Sequence, residues 1–300
     1  MGGDNLRHRQ AFSLVELLVV VAVIAILAAL LFPVMSAARG AAIRASCAEN
    51  FSAVLKALRM YMDEYSDRFP PTNYHAYIPE RVDPDDRTWV QVLYPYTRSV
   101  DVFECPGDTG RATPARVGRW DDVDAAPDDD WGEFYVRSLR TNLGFNFMYL
   151  SPLVRDVTLG WMAFPNRFSS IASPARTLVF VDSVWGRDHL GRPFGGGQWV
   201  VVPPCRYLAA NAVNRDTFPR VVWQNEYYWR MAPKGWESDP KSSNYYGGAW
   251  NWHNGGFTVV FADGHVRRLM PDELTAGCSR LQNWDGLISD QSAYIWDLQD

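Results

Sequence analysis

The chain has 300 residues, 47% hydrophobic and 21% charged, with a formal net charge of −5. That balance suits a folded globular chain and excludes a low-complexity or disordered one. No basic face or cluster occurs, so nucleic acid is not an expected partner. From the N-terminus, residues 1–11 form a short polar leader containing Arg7 and Arg9. Residues 12–35 then read FSLVELLVVVAVIAILAALLFPVM, with one acid, Glu16, near the front and no charge between Leu17 and Phe32. A bilayer-spanning helix needs about 20 apolar residues. A secretory signal has a shorter run of about 7–15 and a small-residue cleavage site after it, which is not seen here. Arg7 and Arg9 on the short side predict a cytoplasmic leader, with everything after Pro33 outside. Keeping an acid in such a run is costly, about 2.5–3.5 kcal/mol at a helix centre and less near an end. Ser13 and Glu16 also have the spacing of a capping box, which explains the acid without any assembly role.

Ala11-Phe12-Ser13-Leu14-Val15-Glu16 resembles the processing site of type IV pilins and type II secretion pseudopilins. The resemblance implies that a prepilin peptidase cuts between Ala11 and Phe12 and methylates the new amine of Phe12. The family usually has Gly where this chain has Ala11, and both are small. Glu16 corresponds to the family's acid five positions into the mature chain, and Pro33 to its helix-bending proline. The implied partners are the peptidase, copies of this chain or other pilins and pseudopilins in a filament, and the bacterial inner membrane. The chain would cross that membrane once, with the head outside, and then enter a periplasmic or cell-surface filament. In low dielectric, Glu16 would pair with the freed amine of Phe12 on a neighbouring subunit and set register. A plain signal-anchor ahead of an unrelated outer domain is the alternative reading.

Beyond Pro33, apolar positions recur at Val34, Ala38, Ala41, Ala45, Ala48, Phe51, Leu55, Leu58, Met62 and Tyr65, the three-and-four spacing of one helix face. The helix is expected to kink or locally melt at Pro33, to continue as an amphipathic segment over residues 34–66, and to end at Pro70-Pro71. Residues 67–300 are enough for one globular head. Thr177–Val181, Trp199–Val202 and Phe257–Phe261 read as strands, and Asp263-Gly264 between apolar runs reads as a hairpin turn. The expected fold class is α+β, a long N-terminal helix packed on an antiparallel β-rich head.

His253 is followed after nine residues by Asp263-Gly264. This spacing resembles the His-x9-Asp-Gly signature of large pilin-like proteins of planctomycete-type bacteria. Phe103-Glu104-Cys105-Pro106-Gly107-Asp108 and Ser173-Pro174-Ala175-Arg176-Thr177 fit the same group. His253, Asp263 and His265 have ligand types that suit a divalent cation. The favoured reading is structural, with Asp263 setting the turn and a histidine capping or stacking nearby, and no metal is assigned. The acidic segment with Asp121, Asp122, Asp124, Asp128, Asp129 and Asp130 lacks the EF-hand spacing and reads as a solvated insert, with calcium as the alternative. Cys47, Cys105, Cys205 and Cys278 allow three disulfide pairings, of which Cys47–Cys105, tying head to helix, is slightly favoured. No nucleophile elbow, phosphate loop or dinucleotide fingerprint occurs, and Gly195-Gly196-Gly197 reads as a flexible loop. The expectation is a non-enzymatic filament subunit without a cofactor. Two alternatives remain. One is a glycan- or surface-binding minor pilin using Trp223, Tyr227, Tyr228, Trp229, Trp236, Tyr245, Tyr246, Trp250 and Trp252. The other is a signal-anchored extracytoplasmic enzyme.

Overall fold

The computed structural model describes residues 14–72, 87–110, 130–156, 160–187, 192–205, 207–208, 246–253, 255–278 and 287–299. The chain divides into two compact units, Met1–Ile43 and Arg44–Asp300. One helix, α1 (Leu14–Glu64), contributes residues to both.

In the first unit, every large apolar side chain from Leu14 to Met35 is exposed. An 18-residue window of α1 has a mean hydropathy of 3.2, so the helix is long and apolar enough to cross a membrane. Pro33 lies inside the continuous helix, so the local melting expected there does not occur. A proline removes one backbone donor, and the intact turns on both sides carry the helix past it.

In the second unit, α1 buries Cys47, Phe51, Val54, Leu55, Ala57, Leu58, Tyr61 and Met62. The bulky half of the anticipated stripe is there, joined by Cys47, Val54 and Tyr61, whereas Tyr65 is exposed. The helix stops before Pro70-Pro71. Ser66 and Asp67 adopt left-handed φ values of 55° and 64°, and the Asp67 N–H donates to the Met62 carbonyl at 2.8 Å. That left-handed ending satisfies a terminal carbonyl, so no proline is needed to break the helix.

The head continues with α2 (Trp89–Thr97), which opens on a capping box in which the Thr88 and Gln91 side chains satisfy each other's backbone donors. Then come α3 (Asp130–Leu139), β1 (Leu143–Phe145), α4 (Phe147–Leu150) and the hairpin of β2 (Leu153–Asp156) and β3 (Gly160–Ala163). β4 (Leu178–Asp182) is followed by the short pair β5 (Gly186–Arg187) and β6 (Pro193–Phe194), then by β7 (Tyr207–Leu208). β8 (Phe257–Phe261), β9 (Val266–Leu269), α5 (Pro271–Leu274) and β10 (Leu287–Ile288) complete the order, with β10 parallel to β7. The main sheet is antiparallel in the order β1-β4-β8-β9. Its two inner strands are buried along their whole length, which explains their unbroken apolar sequences, LVFVD and FTVVF.

The core joins the buried face of α1 to this sheet. At its centre the Trp89 ring packs against Phe103, Phe145 and Phe180 at centroid distances of 5.0–5.8 Å. The Trp89 indole N–H donates to the Trp199 carbonyl at 2.7 Å, which settles the polar end of a fully buried ring. Trp199–Val202, expected as a strand, forms a single bridge among the described residues, Phe145↔Val200. Gly195-Gly196-Gly197 is not a flexible loop. All three residues are buried, and the Gly197 N–H donates to the Arg140 carbonyl at 3.1 Å. A Cβ on Gly197 would lie 2.0 Å from the Thr141 carbonyl oxygen and 2.4 Å from Asn142 Cα. The glycine is there because two backbones meet.

Candidate functional site

β8 places a different cluster at each of its ends. Ahead of it, His253 and Gly256 close a tight antiparallel bridge, and the Arg268 Nε of β9 donates to the His253 carbonyl at 3.0 Å. This holds the His253 ring in the interior, where it is 4% exposed. Its Nε2 faces two groups: Cys105 Sγ at 3.6 Å and Asp182 Oδ2 at 3.8 Å. Cys105 is disulfide-bonded to Cys47 of α1, and Cys205 to Cys278. Asp182, the last residue of β4, is fully buried, and its Oδ2 accepts the Thr258 N–H at 2.6 Å. Asp182 Oδ1 has no hydrogen-bond partner among the described residues.

Burial sets the charge state of this pair. It pushes the Asp182 carboxyl up to about 8, against the pull of the Thr258 N–H. It pushes His253 down to about 4, helped by the positive charges of Arg44 and Arg268. The geometry alone resembles an ion pair, but burial favours the uncharged form of both groups.

The Cys105 turn is tied to α1 and to the sheet. The Asn50 side-chain amide donates to the Glu104 carbonyl, and the Cys105 N–H donates to Asn142 Oδ1, both at 2.9 Å. Asn142 Nδ2 donates in turn to Asp108, whose other oxygen accepts the Gly110 N–H. The Cys-Pro-Gly-Asp stretch is therefore a turn that presents one sulfur to the helix.

At the far end of β8 lies the Asp263-Gly264 turn. Gly264 has φ +114°, which other residues rarely adopt, and an added Cβ would meet Leu55 of α1 at 3.5 Å. Arg59 of α1 donates to the Ala262 carbonyl and stacks over Phe168. Asp263 Oδ1 accepts both the backbone N–H and the ring Nδ1 of His265, whose ring stacks on Phe261 at 4.3 Å. Burial raises the Asp263 pKa, but these bonds outweigh it and hold the carboxyl below the usual range. β8 separates His253 from Asp263 and His265, so the three do not form one cation site. Both ends of the His253–Gly264 segment instead meet α1. Cys47 and the Leu55–Arg59 stretch are about 12–18 Å apart along a helix, and five strand residues span about 17 Å.

Asp182 is the partner that sequence reading missed. Its signal was an acid closing an otherwise apolar strand. Glu16 and Pro33 lie on α1. Ala11 and Phe12 fall outside the described residues, as do the acidic segment before Asp130 and the aromatic residues from Trp223 to Tyr245. Trp250 and Trp252 are half-buried and pack edge-on at 6.4 Å, and the Trp252 indole donates to the Ser183 carbonyl.

Residues 6–32 match the model of the prokaryotic N-terminal methylation motif. Neither a curated protein nor a solved structure matches the chain. The matched stretch covers the anticipated scissile bond and Glu16, and runs into the exposed apolar part of α1. The chain thus carries a prepilin-type N-terminal methylation motif that leads into an apolar helix, followed by a globular part with an antiparallel sheet.

Proposed function

We propose that this chain is a structural subunit of a type IV pilus-like or type II secretion pseudopilus filament. Prepilin peptidase cuts it before Phe12, and it assembles through its N-terminal helix. The observation that carries the reading is the methylation motif at residues 6–32, continuous with a helix whose large apolar side chains from Leu14 to Met35 are exposed among the described residues. Before assembly a bilayer covers that surface; afterwards, neighbouring helices do. The leader stays in the cytoplasm and the head lies outside the inner membrane. Glu16 pairs with the methylated amine of Phe12 on an adjacent subunit. The role is mechanical and non-enzymatic.

The His253–Gly264 segment serves this role by seating the head along α1, with the disulfide at one end and Arg59 at the other. Mass spectrometry of the mature N-terminus tests processing. A methylated Phe12 is expected, and an intact Met1 in cells containing the peptidase would leave only a signal-anchor. Glu16→Ala tests assembly. The variant should insert and be processed but polymerise poorly, and normal filaments from it would reduce the acid to a helix cap.

A further inference from the structure

The buried cluster at the N-terminal end of β8 offers more than a covalent tie. Donor atoms of Cys47, Cys105 and His253 lie within 4.8 Å of one another, and all three residues are buried. Asp182 Oδ2 stands 3.8 Å from the same His253 nitrogen, and its other oxygen lacks a hydrogen-bond partner among the described residues. Two sulfurs, an imidazole nitrogen and a carboxylate oxygen are a zinc-type donor set, too soft for calcium or magnesium. The spacing agrees. Zinc–sulfur bonds of about 2.3 Å and zinc–nitrogen bonds of about 2.0–2.1 Å at a tetrahedral angle put sulfur and nitrogen about 3.6 Å apart. The Cys105 Sγ to His253 Nε2 distance is 3.6 Å.

We infer that, when the Cys47–Cys105 bond is reduced, Cys47, Cys105 and His253 bind Zn2+, with Asp182, which stands beside His253 just outside their close cluster, moving in as the fourth tetrahedral ligand, so that a metal replaces the disulfide as the link between α1 and the head. The redox step balances. A dithiol reductant gives two electrons and two protons, the S–S bond breaks, two S–H groups form, and the reductant leaves as its own disulfide. Coordination then releases both thiol protons and the proton on Asp182. Two thiolates, one carboxylate and Zn2+ leave one net negative charge, which Arg44 and Arg268, the cations acting on His253, offset. A disulfide oxidant reverses the exchange: it takes the two electrons and two protons to become a dithiol, the Cys47–Cys105 bond re-forms, and the ion is released to water. The inference does not depend on filament assembly.

The test uses the full chain in detergent, oxidised or reduced with a phosphine, equilibrated with Zn2+ or Co2+ and freed of excess metal. Reduced protein should retain roughly one ion per chain, and oxidised protein none. The Co2+ form should show a thiolate-to-metal charge-transfer band and intense tetrahedral d–d absorption. His253→Gln and Asp182→Asn, which keep both cysteines, should each lower affinity at least about tenfold. Cys205→Ser/Cys278→Ser should bind as the parent does. Absence of metal from the reduced parent, a Co2+ spectrum without the thiolate band, unchanged affinity in H253Q, or loss of metal in the Cys205/Cys278 variant would each overturn the assignment.

Discussion

Replacing both cysteines of the Cys47–Cys105 pair with alanine removes the covalent tie between α1 and the Cys105 turn. The two residues are 58 positions apart. Cross-linking a loop of that length lowers the entropy of the unfolded chain by about 14 cal/mol/K, or about 4 kcal/mol at 25 °C. The Cys205–Cys278 pair closes a separation of 73, and the same relation gives about 4.4 kcal/mol. Logarithmic dependence makes the two nearly equal, so Cys47→Ala/Cys105→Ala and Cys205→Ala/Cys278→Ala should lose closely similar stability. Urea unfolding of the full chain in detergent, followed by tryptophan emission, measures both midpoints and slopes. An unchanged slope with a lower midpoint locates the loss in stability itself. A loss under about 1 kcal/mol in either variant would show that the unfolded chain is not constrained as reasoned. A gap between the variants above about 2 kcal/mol would show that native packing around the sulfurs, not chain entropy, dominates.

Leu58→Ala removes a side chain that is 1% exposed in the seam between α1 and the sheet, and should cost about 2–5 kcal/mol by the same unfolding assay. Gly197→Ala drives a Cβ into the backbone of Thr141 and Asn142, which cannot yield, so a loss above about 3 kcal/mol or a failure to fold is expected by circular dichroism. Asp297 is buried with its Oδ1 unpaired among the described residues, and burial pushes its carboxyl up to about 6 from 3.8. The native state therefore holds a proton that the unfolded chain gives up. Its contribution is complete below about pH 4 and is lost as pH rises through about 6, a change of about 3 kcal/mol. Asp297→Asn should flatten that part of the stability–pH curve; an unaltered slope would place the titration elsewhere.

Run length and period made several elements readable. An uncharged stretch from Leu17 to Phe32 reads as an apolar helix that leaves water for a bilayer or a helical assembly, and LVFV and FTVVF are short and β-branched enough to read as inner strands. Asp263-Gly264 announced the β8–β9 hairpin because the turn needs a positive φ. The failures share a cause as well. Trp199–Val202 has strand composition, yet its neighbour β1 offers it one bridge only. Gly195-Gly196-Gly197 has loop composition, yet the approach of residues 140–142 turns it into packed backbone. The end of α1 depends on a left-handed pair that no proline announces.

From its residues alone this protein was bound to have a long apolar helix with an acid at its front, a prepilin-type N-terminal motif and a hairpin at Asp263-Gly264, because each depends on neighbours a few positions apart. Only the tertiary structure decided that His253 faces Asp182 and the Cys47–Cys105 bond. Asp182 and Thr258 are 76 positions apart, and Cys105 and His253 are 148. Their meeting depends on strand register and on how the Cys105 turn sits against α1. Those are products of packing and long-range pairing, which local periodicity does not encode.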